Sequence, residues 1–336
     1  MSFRSITLQQ EELPWTWPLR LGRQAPAQRA RCVITAHDEQ GRMHQAEIAP
    51  CPGVHPESLN EALAQWRHAI EGRLMQPWPH ETWSWTRPAF GLLDLPQQTF
   101  PSVLTAVEQL LLSLAQQEDP GKFSLPASIP IEGSALLALQ DDAETTRQEF
   151  LQLWDQGFRI FKCKVGRLSP SHEYDCLQEM NEHGGGDLRL RLDANRGMSP
   201  AAAAFWTAKS HHLPLEYWEE AAGMQPQALD ETLWDEAEAP HAAAWILKPS
   251  RLGLSRTVAF LKRASEQRIP CVLSNAFDSG LSLRCSAWIY AAFCANPRPL
   301  GYGTTRFLPP DMWQSESWGQ ARVIIPRHPF AQQGEA

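Results

Sequence analysis

The stretch Gly157-Phe158-Arg159-Ile160-Phe161-Lys162-Cys163-Lys164-Val165-Gly166 decides how the rest of the chain is read. Two glycines bracket a short run with period-2 alternation, the pattern of a strand. Phe161, Cys163 and Val165 fall on one face, and Ile160, Lys162 and Lys164 on the other. Taken alone, two lysines side by side read as a solvent-facing edge, because ammonium groups blunt strand edges and are rarely buried without partners. Carboxylates supplied at the ends of further strands, over the next 90 or so residues, change that reading.

The 336 residues, 43% hydrophobic and 20% charged, suffice for a barrel-sized domain with an addition. A formal charge of −8 argues against a nucleic-acid partner, which calls for a basic face. The N-terminus lacks the apolar core of a signal peptide, and no run approaches the roughly 18 apolar residues of a membrane span. A cytoplasmic enzyme of a small molecule, with no membrane partner, is the expectation; the oligomeric state is left open. The seven cysteines form no Cys-x-x-Cys pair and the eleven histidines no His-x-x-x-His, so neither zinc nor a disulfide framework is suggested. Carboxylates are left as candidate metal ligands.

Residues 1–125 read as an α+β layer. Arg31–Ala36 and Met43–Ile48 are predicted strands of an antiparallel pair joined by Asp38-Glu39-Gln40-Gly41. Helical spacing is present in Glu57–Arg73, and again in Ser102–Gln116 with Ser102 as N-cap. From about residue 126 the rhythm alternates strand and helix. Strands are predicted at Ile129–Gly133, Phe158–Val165, Leu188–Asp193, Leu215–Glu219, Gln227–Leu229, Trp245–Lys248, Cys271–Ser274 and Leu300–Gly301, with helices opened by Ser169-Pro170 and Ser199-Pro200. Repeated βα units of this number favour a closed parallel barrel over an open sheet. The expected division is a cap formed by residues 1–125 with the tail 305–336, and a barrel of residues 126–304.

Lys164, Asp193, Glu219, Asp230 and Lys248 each stand at the end of a successive predicted strand. In a barrel, strand C-termini share one face, and the active site is there. Singly, each is equally an N-cap, a turn acid or a solvated charge; five in register are a constellation. Three carboxylates with no His or Cys nearby make an all-oxygen site suited to Mg²⁺ or Mn²⁺. Lysines flanking such a metal suit proton abstraction beside a carboxylate, where the metal offsets the charge developing on oxygen. Burial and a neighbouring cation, here Lys162, would bring a lysine base toward neutrality. One spacing is unusual: Asp230 lies only eleven residues after Glu219, short for a parallel crossover. Glu220 or Asp235 are alternative ligands, or one barrel helix is missing.

Lys162-Cys163-Lys164-Val165-Gly166 resembles the Lys-x-Lys motif of the enolase superfamily's muconate-lactonising branch, and Arg191-Leu192-Asp193-Ala194-Asn195-Arg196 its Asp-x-Asn segment. Leu215–Glu220, Ala228–Glu231 and Ile246–Ser250 are similar to its two further metal strands and its second lysine strand. Ala46–Gly53, Ser274–Gly280 and Gly301–Thr305 resemble the o-succinylbenzoate synthase family within that branch. The resemblance, over about residues 30–310, implies an α/β fold: a modified TIM barrel, (β/α)7β, with an α+β capping domain. It implies a metal-dependent syn dehydration of a cyclohexadiene carboxylate, with Lys164 as base, Lys248 as the opposing cation and Lys162 in support. Asp193, Glu219 and Asp230 would hold Mg²⁺ or Mn²⁺, and Asn195, Ser274 and Gly301 would line the substrate. Racemisation of N-succinylamino acids on the same scaffold is the alternative reaction, and a binding protein on a metal-free barrel the alternative of another class.

Overall fold

A computed structural model describes residues 2–14, 28–78, 85, 89–235, 240–309 and 317–330. Its N-terminal layer is an antiparallel sheet of β1 (Phe3–Pro14), β2 (Gln28–Asp38) and β3 (Met43–Ile48), in that spatial order. The predicted pair is β2 and β3. Their turn is set by Asp38, whose Oδ1 accepts the amides of Gln40 and Arg42 at 3.0 and 2.8 Å, and by Gly41 at φ +77°. Strand β1 has no counterpart in the sequence reading. Along it only Phe3 is fully buried and Ile6 and Leu8 are half-buried, so its apolar alternation is short and interrupted by the polar run Gln9–Glu12.

The helical pattern at 57–73 becomes α1 (Leu59–Gln65), a π turn at Trp66–Ile70 and α2 (Glu71–Met75). A capping box between Ser58 and Glu61 starts it. After α3 (Ala89–Leu93), the long helix α4 (Pro101–Glu118) is capped by Phe100 rather than by Ser102. Pro101 takes the first helical position, which places Ser102 inside the first turn, where its hydroxyl donates to Glu57 Oε1 at 2.6 Å.

Strand β4 (Ile129–Glu132) corrects another expectation. It pairs antiparallel with β12 (Arg322–Ile325), outside the barrel, and the barrel begins at β5 (Ala135–Ala138). Gly133, between the two, has no room for a side chain: a Cβ there would lie 2.5 Å from the Gln320 carbonyl oxygen. From β5 the order is α5 (Ala143–Asp155), β6 (Ile160–Lys164), α6 (Pro170–Gly184), β7 (Arg189–Asp193), α7 (Pro200–Lys209), β8 (Leu215–Glu219), β9 (Gln227–Leu229), α8 (Thr232–Asp235), β10 (Ala244–Leu247), α9 (Pro249–Leu252), α10 (Leu254–Gln267), β11 (Cys271–Leu273) and α11 (Gly280–Phe293). The seven strands β5–β11 form one parallel sheet in chain order. Its two edges meet through Leu300–Gly301, which bridges Gly133 on one side and Ser274 on the other.

Two connections are short. The chain passes from β8 to β9 with no helix, and from β9 to β10 with only the single turn of α8 among the described residues. Indoles take up part of the cover. Trp218 of β8 packs edge-on to Trp206 of α7 at 5.4 Å, and Trp245 of β10 to Phe260 of α10 at 5.7 Å. No helix among the described residues is long and apolar enough to cross a membrane.

Helix α4 joins the two layers. Glu108, fully buried on it, accepts the amides of Leu254 and Ser255 at the start of α10. Burial pushes its carboxyl up to about 7, against those hydrogen bonds. The folded protein therefore keeps this proton to higher pH than the unfolded chain. Stability contributed here is full below the unfolded value of 4.5 and is lost as pH rises to about 7, a fall of up to ~3 kcal/mol. Glu108→Gln is expected to flatten that part of the profile, as read by thermal denaturation between pH 4 and 8. An unchanged slope would refute the assignment.

Candidate active site

Alternation along β6 sends Phe161 and Cys163, both fully buried, outward under α5 and α6. Lys162 and Lys164 therefore point into the barrel. Register then sets their neighbours: Lys164 lies level with Asp193 of β7, and Asp193 with Glu219 of β8. The Lys162 ammonium sits 3.0 Å from Asp193 Oδ2 and 2.6 Å from Glu219 Oε1. Lys164 donates to Asn195 Oδ1 at 2.6 Å and stands 3.9 Å from Asp193 Oδ2. Across the mouth, Lys248, at the end of β10, is ion-paired with Asp230 Oδ2 and lies 5.4 Å from the Trp234 ring centroid. All five expected strand-end groups, with Lys162, meet at the barrel mouth. Below them Tyr217, Ala228, Ala244, Ile246 and Val272 close an apolar floor.

The lysines differ in setting. Burial pulls Lys164 below its ordinary pKa; Lys162 and Arg167 add to this and Asp193 opposes it. Burial acts the same way on Lys162, but Asp193, Glu219 and Asp230 outweigh it and raise the pKa well above the usual value. For Lys248, too, burial is outweighed, chiefly by Asp230, and the pKa is raised. Lys164 is also the most accessible of the three, with 32% of its side chain exposed against 17% for Lys162 and 11% for Lys248.

Asp193, Glu219 and Asp230 are all at least 98% buried. Glu219 Oε2, Asp230 Oδ1 and Glu231 Oε2 are buried with no hydrogen-bond partner. Such oxygens are costly unless something cationic completes them, and as hard anionic donors they fit Mg²⁺ or Mn²⁺. Among the described residues no three His, Cys, Asp or Glu side chains already converge as a metal cage; Lys162 and Lys248 lie against the carboxylates instead. Glu231 escapes the sequence reading as a site residue, although its place beside Asp230 is an available signal.

Of the alternative ligands, Glu220 is committed elsewhere: its two oxygens accept four hydrogen bonds from Asp230, Thr232 and Arg196. Asp235 ends α8, and its side chain lies outside the described residues. The short spacing after Glu219 thus reflects an absent helix, with Asp230 directly following β9. Ser274 follows β11 at the mouth and faces Gly301, where a Cβ would come within 3.0 Å of Ser274 Oγ. Beside them Asn275 accepts from Thr304 Oγ1 and leaves Nδ2 buried without a partner.

The chain is similar to known proteins. A model of the family described as Enolase C-terminal domain-like matches residues 145–315. The curated o-succinylbenzoate synthase of Pasteurella multocida is 28% identical over 292 residues, 79% of this chain and 78% of that protein. That of Thermosynechococcus vestitus is 23% identical over 296 residues, 81% and 84% of the two chains. Among solved structures, the L-Ala-D/L-Glu epimerase from Bacillus subtilis superposes with a TM-score of 0.80 at 17% identity, covering 98% of both chains. The N-succinyl Arg/Lys racemase from Bacillus cereus gives 0.79 at 14% identity, covering 97% and 94%. At these identities the solved structures show the fold alone. Because the matched residues run through every barrel strand that carries one of the site's side chains, from β6 to the closing segment at Leu300–Gly301, the chain belongs to the enolase superfamily and is an enzyme of it.

Proposed function

We propose that this enzyme is an o-succinylbenzoate synthase, dehydrating 2-succinyl-6-hydroxy-2,4-cyclohexadiene-1-carboxylate to 2-succinylbenzoate in the cytoplasm, as a step of quinone biosynthesis. The observation that carries the reading is the asymmetry of the two flanking lysines. Lys164 hydrogen-bonds a neutral amide oxygen, is open to the mouth and is shifted toward the free amine; Lys248 is buried in an ion pair that keeps it charged. One base and one fixed cation are what a syn elimination needs. The curated relatives support the same reaction.

In this reading Lys164 takes the proton α to the ring carboxylate, and the electron pair passes into an enediolate. Lys248 offsets the negative charge from the opposite side. The C–O bond at C6 then breaks, and Lys164 returns its proton to the departing hydroxyl as water leaves and the ring becomes aromatic. Asp193, Glu219 and Asp230 would hold Mg²⁺ or Mn²⁺, in keeping with the superfamily's general use of a divalent metal. When bound, the metal would supply Lewis-acid stabilisation of carboxylate charge. Lys162 holds Asp193 and Glu219 in place and lowers the proton affinity of Lys164. Asn195, Ser274 and Gly301 would line the substrate.

The purified protein should convert the cyclohexadiene substrate to an aromatic product with Mg²⁺ and stop on chelation; no turnover with Mg²⁺ would overturn the reading. A second reading, racemisation of an N-succinylamino acid, is favoured by one feature: Lys164 and Lys248 approach the mouth from strands on opposite sides. Solvent deuterium entering the α position of both enantiomers would select it.

A further inference from the structure

We propose that Glu220 is the positioning residue for Asp230, fixing a strand end that has no full crossover helix on either side among the described residues. The proposal rests on the reading of Asp230 as a metal-holding carboxylate. Glu220 follows β8 directly and is 4% exposed. Its backbone is left-handed at φ +49°, as are Asn195 and Arg196 at φ +44° and +57° on the neighbouring β7 end. Left-handed non-glycine residues are strained and persist where surrounding contacts over-determine them.

Such contacts surround Glu220 on both oxygens. Its Oε1 accepts the amides of Asp230 and Thr232, both at 2.8 Å. Its Oε2 accepts Arg196 Nε at 2.9 Å and the Thr232 hydroxyl at 3.0 Å, and Arg196 Nη2 donates to the same hydroxyl at 2.9 Å. On the main chain, the Arg196 amide donates to the Glu220 carbonyl and the Glu220 amide to the Ala228 carbonyl, each at 3.1 Å. One carboxylate thereby ties together the ends of β7, β8 and β9. With four acceptor sites filled, it has none left for a ligand. Asp230, held by its own amide, keeps Oδ1 free. A role for Glu220 as merely a satisfied buried acid leaves unexplained why two of its four bonds fall on the amides of Asp230 and Thr232.

The test uses Glu220→Ala, Glu220→Gln and the double variant Arg196→Met/Glu220→Gln, with Mn²⁺ as probe. Orienting partners of this kind are worth about 10- to 100-fold in metal affinity. Glu220→Ala should raise the Mn²⁺ Kd, read by electron paramagnetic resonance, by about that factor, and speed hydrogen exchange at the Asp230 and Thr232 amides. Gln at 220 can still accept both amides but sets its NH₂ against Arg196. Removing that clash in the double variant should therefore return the Kd to within about threefold of wild type. A merely structural role would lower the melting temperature of the variants while leaving the Kd of the folded protein unchanged. That result, or unaltered exchange at 230 and 232, overturns the proposal, as does a wild type that binds no Mn²⁺. A wild type that binds Mn²⁺, with variants that show these shifts, yet makes no aromatic product, supports the positioning role and sinks the synthase reading alone.

Discussion

Lys164→Ala should lower kcat by about 10²–10⁴-fold, the usual worth of a positioned general base, while leaving the fold intact. Both halves of that expectation come from the setting of the side chain. The amine is the only one of the three site lysines drawn toward its neutral form, and it faces the open mouth. Its partner, Asn195 Oδ1, is a neutral acceptor that water can satisfy. Asp193 keeps Lys162 at 3.0 Å, so no buried carboxylate is stranded by the substitution. The stability change should therefore stay within about 0.5 kcal/mol, because the partly exposed side chain leaves no buried charge or polar group unpaired. Lys164→Arg should be equally inactive, because a guanidinium stays protonated at any working pH and cannot take the proton. Circular dichroism and melting temperature would confirm the fold, and product absorbance would report turnover. Activity near wild type in either variant would remove Lys164 from the chemistry.

Much of this site is legible in the sequence because β-strand alternation and strand-end position are local. The faces of β6 follow from five residues, and the helix starts at Ser169-Pro170 and Ser199-Pro200 are found as read, with both hydroxyls accepting an amide three residues on. What escapes depends on partners distant in sequence. Strand β1 is defined by its pairing with β2 and carries only a short buried face of its own. Strand β4 reads as a barrel strand until its partner, β12, some 190 residues later, is known. Ser102 looks like a cap, yet Pro101 precedes it and Glu57 claims its hydroxyl. The spacing between Glu219 and Asp230 leaves three ligand assignments open, and the hydrogen bonds of Glu220 are what remove that residue from the choice.

Lys248→Met should give the opposite balance of effects: turnover lost, and a large loss of stability that a divalent cation restores. Lys248 and Asp230 form a pair in which both members are buried. Removing one member of such a pair typically costs about 3–5 kcal/mol, because the remaining charge is left without compensation. Met keeps an unbranched side chain of similar volume beside Trp234, so the loss reports the missing charge, over that ring as well as at Asp230, rather than a cavity. In the presence of chelator the variant should melt well below wild type. Saturating Mg²⁺ supplies positive charge beside Asp230 and stabilises whichever state binds it. The variant should therefore gain more from Mg²⁺ than wild type does, and the gap between them should narrow. Adding Asp230→Asn should recover stability in chelator, since no charge is then stranded, while abolishing the extra response to Mg²⁺. Turnover should be absent throughout, as the cation opposite Lys164 is gone. Calorimetry with and without chelator distinguishes these outcomes. A Lys248→Met protein as stable as wild type in chelator, or one with no enhanced response to Mg²⁺, would mean that Asp230 is not the charge Lys248 compensates, and the ligand set would have to be sought at Glu231.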